Sequence, residues 1–228
     1  MAQIQLAKVT RVRDVPTVDP NFVFINTVNW FTNNVQKFGE HLVRGYELSP
    51  YYLKNSEGCL MENIWQSSKI YPEVLPQKQI HVGIVTWEYP GEKHIIDNNI
   101  TPEYFNWRQR LLHNKYPVRY PNGYALRKTC AGIIWPNADG EYVTYDYLQA
   151  RKQVYVPVYA QLVRITSAYV VLRDMMNRGI NLTLSDVDVP DKILVTKDSF
   201  NHYLTNPELS FGHSWTLAAC LLGLDVFK

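Results

Sequence analysis

The stretch Ala168-Tyr-Val-Val-Leu-Arg-Asp-Met-Met-Asn-Arg-Gly-Ile-Asn-Leu-Thr-Leu-Ser-Asp-Val-Asp-Val-Pro190 decides the fold. Its first half is a helical pattern from Ala168 to Arg178, and Gly179 stands where a left-handed residue ends a helix. Its second half alternates apolar and polar from Asn181 to Pro190, the two-residue period of a strand, and brings Asp186 and Asp188 to the strand's carboxyl end. A helix passed directly into a strand is the building unit of a layered domain with helices against a sheet.

Working outward, the same interleaving recurs. Upstream, Tyr145 to Arg164 is the longest helical pattern, with a kink expected at Pro157. Thr129 to Trp135 reads as a strand reversed over Pro136 to Gly140. Thr101-Pro-Glu103 orders a cap, an N1 proline and an early acid, which predicts a helix over Pro102 to His113. Gln79 to Tyr89 is a β-branched run read as one central strand. Met61 to Ile70 is read as a helix stopped by Tyr71-Pro72, after a turn at Asn55 to Gly58 and an extended His41 to Leu53. Asn21 to Asn26 is a strand, and Tyr116 to Asn122 is extended or turned. Downstream, Asp198 to Leu204 and His213 to Leu222 read as helices, the second stopped by Gly223. The expected fold is therefore α/β (or α+β), a mixed central sheet flanked by helices. No Pro/Gly/Ser-rich break divides the chain, so residues 1–228 are expected to form one domain, with 1–20 as a partly extended N-terminal arm.

Bulk properties exclude several classes. The chain has 228 residues, 46% of them hydrophobic and 19% charged, a globular balance without an apolar run long enough to span a bilayer. Residues 1–14 lack the apolar core of a signal peptide, so a cytoplasmic location is expected. A net charge of +2 does not by itself announce a nucleic-acid partner. The three cysteines, Cys59, Cys130 and Cys220, show no ligand or disulfide spacing and sit in apolar contexts, which favours buried thiols over nucleophiles. No metal or cofactor is expected. The 16 tyrosines and 6 tryptophans suggest an aromatic-walled pocket, because these rings combine an apolar face with a polar edge.

Three constellations carry chemistry. Asp186 and Asp188 at a strand end precede His213-Ser214 at a helix start, where ligands of α/β sheets gather. Alternation would put both carboxylates on one face, able to divide acid and base roles. Capping and packing are the structural alternatives for each. Second, Glu62, Gln66 and Lys69 share a helix side beside Trp65, a carboxylate–amide–ammonium row suited to a base or ribose; the plain alternative is a solvated helix face. Third, Trp87-Glu88, His94, Trp107-Arg108, Arg119-Tyr120 and Arg127 interleave rings with cations, as phosphate contact and base stacking require, although Trp107 and Arg108 suit core and helix-surface roles equally. The acidic strand tip, His213 and the Glu62 row are expected to line a single cavity.

Signatures of nucleotide kinases, common dehydrogenases, zinc deaminases and α/β-hydrolases are missing from the sequence. Four phrases, Leu48-Ser-Pro-Tyr-Tyr-Leu53, Glu62-Asn-Ile-Trp-Gln-Ser-Ser-Lys-Ile-Tyr71, Val118-Arg-Tyr-Pro121 and Phe211-Gly-His-Ser-Trp-Thr-Leu-Ala218, resemble those of a little-characterised α/β family of large DNA viruses, phages and bacteria. The layout of a late strand followed by a His-led helix is distantly similar to domains acting on N-glycosidic bonds of nucleotides. The resemblance implies a DNA glycosylase, related to antiphage enzymes that excise a modified base, with DNA as partner. Asp188 or Glu62 would be the carboxylate, and His213 would contact base or phosphate. Lys69 and Arg119 would hold phosphates and Trp65 and Gln66 would line the substrate site, to which the constellations read above add Trp87, Tyr120 and Asp186. The water-activating and His-Pro-Ser loops of uracil-excising enzymes do not occur. Two other classes stand beside this one: an NAD-consuming ADP-ribosyltransferase or glycohydrolase, and a non-enzymatic nucleic-acid or assembly module.

Overall fold

The computed structural model describes residues 2–10, 17, 19–28, 31–81, 83–120 and 129–224. Arg127 and the end of the 116–122 stretch lie outside them. The chain is mixed α/β and divides into two compact units, Met1–Leu53 with Tyr155–Lys228, and Lys54–Val154.

The first unit holds the main sheet. Its strand order is Lys192–Leu194, Ile4–Lys8, Asn181–Asp186, Phe22–Ile25. Ile4–Lys8 runs parallel to Asn181–Asp186 and antiparallel to Lys192–Leu194, and Asn181–Asp186 runs parallel to Phe22–Ile25. The expected arm is thus extended but is an inner strand, because Ile4 and Leu6 are fully buried. A strand covered on both faces needs neighbours on both edges to satisfy its N–H and C=O groups. The final helix, His213–Leu222, is buried from His213 to Cys220 and packs on the sheet and on the Val156–Val163 helix. Ser167–Asn177 and Lys197–Thr205 complete this unit's main helices. Gly179, at φ +84°, ends the former by donating to Met176 O, as its sequence predicts.

Two readings change here. His41 to Leu53 is extended only over His41–Arg44; a 3-10 turn, Gly45–Leu48, follows. The 145–164 helical pattern starts at Tyr147 under an Asp146/Gln149 capping box and opens into a π-helical segment, Arg151–Tyr155, before Val156–Val163. Pro157 has no N–H to donate and its ring crowds the carbonyl one turn back, so the preceding turn widens instead of breaking.

The second unit is built on rings. Tyr71, Trp87, Tyr89, Tyr104, Trp107 and Tyr120 form one buried cluster with Ile70, Val74, Leu111, Val118 and Ile134. The Pro102–Leu112 helix forms as predicted, though the Thr101 hydroxyl donates to Lys93 O and does not cap it. Lys69–Ile70, Gly132–Pro136 and Tyr142–Tyr145 make a three-stranded antiparallel sheet. The run read as one central strand is a hairpin, Gln77–His81 paired with Ile84–Tyr89, turning through Gly83 at φ +76°. The Met61–Ser67 helix stops short of Ile70, because the Ser67 and Ser68 hydroxyls both donate back to Ile64 O and close its last turn.

Candidate functional site

Asp186 ends its strand, and its carboxylate is 1% exposed. Oδ1 accepts from the amides of Val187 (2.7 Å) and Asp188 (3.2 Å). Oδ2 accepts from Ser214 N (3.0 Å) and lies 3.1 Å from His213 Nδ1. The other ring nitrogen, His213 Nε2, faces Thr27 Oγ1 at 3.0 Å and Thr27 O at 3.1 Å, while the Thr27 hydroxyl donates to Ser185 O. Both carboxylate oxygens are therefore saturated, and the imidazole is engaged at both nitrogens. The helix that His213 opens has glycine at its N-cap, which offers no side chain to the orphan amides, and Asp186 supplies the missing acceptor across space. Its negative charge also suits the positive end of the helix dipole.

This overturns the paired-carboxylate expectation. The strand ends at Asp186, so Asp188 does not continue its alternation; it is exposed, on the turn, with its carbonyl accepting from Gly212 N at 3.0 Å. Asp186 and His213 do come together, as a buried linkage between a strand end and a helix start.

The second constellation is a hydrogen-bonded chain. Lys69 Nζ donates to Gln66 Oε1 (2.9 Å), and Gln66 Nε2 donates to Glu62 Oε1 (2.9 Å). Arg119 Nε lies 3.6 Å from the same Glu62 oxygen, its side chain 44% exposed against 9% for Glu62. Lys69 Nζ also sits 5.4 Å over the Trp65 ring, whose centroid is 6.4 Å from that of Tyr147. The row is not a solvated helix face, since every residue of Met61–Ser67 is buried. Lys69 lies beyond the helix and reaches back to it. Among the described residues no donor meets Glu62 Oε2.

Asn63, which sequence reasoning passed over, anchors the row. Its Nδ2 donates to Asn114 O (2.9 Å) and Tyr116 O (3.0 Å), and its Oδ1 accepts from Val118 N (2.8 Å), fixing the segment that carries Arg119. The signal lay inside the quoted Glu62 phrase, but an Asn on a short helix does not name its partners.

The third constellation is mostly core. Trp87 and Tyr120 are buried, Trp87 stacked on Tyr89 and edge-on to Trp107, Tyr120 edge-on to Tyr71 and Trp107. The Tyr120 hydroxyl accepts from Leu75 N, and burial pushes its pKa up. His94 is buried against Tyr104 and Trp107, and burial lowers its pKa. Arg108 is buried and donates to Ser67 O and Ile134 O. These rings build a core where an open stacking surface was expected, because so many Tyr and Trp in a small unit pack edge-to-face. Cys59 and Cys220 are buried as their sequence reading expects, whereas Cys130 is only half-buried, and burial pushes all three thiols up.

The expected single cavity joined residues that fall in different units, Asp186, Asp188 and His213 in the first, Glu62, Trp65, Gln66, Lys69 and Arg119 in the second. Among the described residues no single helix is long and apolar enough to cross a membrane. No family model matches the chain, and no curated protein or solved structure matches it either.

Proposed function

We propose that the chain hydrolyses the N-glycosidic bond of a base in DNA, with Glu62 as the carboxylate at the sugar. One observation carries this reading: Glu62 is buried, hydrogen-bonded through Oε1 alone, and leaves Oε2 without a protein donor among the described residues. Breaking the C1′–N bond develops positive charge on the sugar, and a buried carboxylate with one open oxygen stabilises that charge or takes a proton from the attacking water. Water adds to C1′, and the departing base leaves with a proton. Gln66 keeps one amide hydrogen beyond its bond to Glu62, suited to a base edge, and Lys69 and Arg119 supply cations for phosphate. Trp65 and Tyr147 replace Trp87 and Tyr120 as rings beside the base. Asp188 and Asp186 take no part, the one exposed on a turn and the other saturated.

The test is mass spectrometry of small molecules released from canonical and base-modified DNA, with NAD as a parallel substrate. Wild-type protein should free a base, and Glu62→Gln, which keeps shape and removes charge, should slow release by on the order of 10²–10⁴-fold. NAD loss without DNA cleavage would move the same chemistry to a free dinucleotide. Undiminished release by the Glu62→Gln protein would sink the assignment.

A further inference from the structure

We infer that Arg108 anchors a second binding site, one that takes a single carboxylate carried on an aromatic body. The site goes beyond the Glu62 reading and does not depend on it, since none of its residues belongs to the Glu62 row.

Arg108 stands on the Pro102–Leu112 helix and is only 7% exposed. Its hydrogen bonds all leave one nitrogen. Nη1 donates to Ser67 O at 3.3 Å, to Ile134 O at 3.4 Å and to the Tyr104 hydroxyl at 3.5 Å. Among the described residues no carboxylate pairs with the guanidinium, and Nε and Nη2 meet no acceptor, yet neither atom is sealed from solvent. Rings hold the charge instead, the guanidinium carbon lying 5.9 Å from the Trp135 centroid and 5.6 Å from that of Tyr142. Ring faces and carbonyl dipoles offset part of the cost of burying a charge, and an anion offsets more. The Nε–H and Nη2–H bonds left over run parallel, the pair that grips both oxygens of one carboxylate. Capping the Met61–Ser67 helix does not call for this arrangement, because Nη1 alone reaches Ser67 O and a neutral amide would do so without a buried charge.

The surroundings name the rest of the ligand. Tyr142 is 54% exposed and Phe105 38%, their rings in edge contact with centroids 6.0 Å apart. Two exposed rings beside the free edge of the guanidinium give an apolar landing place, and another aromatic ring packs best against them. The local charge limits the anion. Glu141 precedes Tyr142 and Asp139 stands on the turn before it, both exposed. They oppose a phosphate, which brings nearly two negative charges, and a polyanion such as DNA, whereas one carboxylate matches one guanidinium.

The experiment follows the Arg108 Nε–H signal of isotope-labelled, full-length protein by NMR. Benzoate should shift that signal and saturate in the millimolar range, whereas benzamide, the same shape without the charge, should leave it in place. Tyr142→Ala, at an exposed position, should weaken benzoate by about three- to ten-fold. Arg108→Lys, which keeps the charge and loses the paired donors, should weaken it by about ten-fold or more, read on the Phe105 ring signals. Should the lysine variant fail to fold, the tyrosine variant decides. An Arg108 signal unmoved by benzoate, an equal response to benzamide, or wild-type affinity in Tyr142→Ala overturns the inference. So does inorganic phosphate binding tighter than benzoate. A tripeptide ending in phenylalanine that binds tighter than benzoate, and loses this on amidation of its C-terminus, makes the carboxylate a peptide's; the opposite order makes it that of a free aryl acid. None of these readouts involves base release, so the site stands or falls apart from the glycosidic reading.

Discussion

Gly212 shows how one residue decides what its neighbours can be. A Cβ built there would lie 2.3 Å from Asp186 Oδ2 and 2.7 Å from Oδ1, and the carboxylate cannot retreat because four donors hold it. Gly212→Ala should therefore dislodge Asp186 from Ser214 N and His213, with a loss of about 2–4 kcal/mol in urea unfolding. A loss below about 0.5 kcal/mol, the size of an ordinary surface change, would mean that Asp186 is not the helix's cap. The pairing of Asp186 with His213 was legible in the sequence, since a strand's carboxyl end and a helix start are where such residues meet. That the pair is internal was not legible, because the partner that occupies His213 Nε2 is Thr27, 186 residues away. The Glu62 row was legible for a local reason: its hydrogen bonds span three and four residues, the distances a helical turn sets.

At the scale of elements, Met61–Ser67 is two turns long and could not persist by itself, as isolated helices this short are unstable in water. Tertiary bonds hold it, and Asn63 makes three of them to the 114–118 segment. Asn63→Ala should cost about 2–4 kcal/mol, because two carbonyls and one amide lose their partner in a buried setting. It should also raise KM more than it lowers kcat in the base-release assay, since Arg119 would lose its anchor while Glu62 stays on its helix. Equal effects on both parameters would detach Asn63 from substrate holding. The start of this helix could be read from its apolar spacing, whereas its end depended on two serines bonding back to Ile64, a choice that serine also makes in turns. The hairpin was misread for a related reason. Its β-branched residues continue up to both sides of the reversal, and Gly83 was the one mark of a turn inside an otherwise unbroken strand pattern.

At the scale of the whole molecule, the divisions fall between Leu53 and Lys54 and between Val154 and Tyr155, the second inside a run of helical residues. Composition did not mark the second, where 150–160 hold one proline and no glycine or serine, and at the first the Ser49-Pro50 and Ser56–Gly58 residues read as a local turn. Each unit nevertheless has what a cooperative folding unit requires, its own strand pairing and its own buried apolar cluster. The three thiols report on them separately, because Cys220 belongs to the first unit while Cys59 and Cys130 belong to the second. Burial raises the pKa of all three, so few are thiolates at neutral pH in the native protein and alkylation waits for opening. Iodoacetamide labelling across a urea series, read by peptide mass spectrometry, should give Cys59 and Cys130 one midpoint and Cys220 another. Cys130, the least buried of the three, should show a higher baseline without a different midpoint from Cys59. If Cys59 tracks Cys220, or if all three open together, the units unfold as one body. The Asn63→Ala variant sharpens the comparison, since its loss should move Cys59 and Cys130 to lower urea and leave Cys220 where it was.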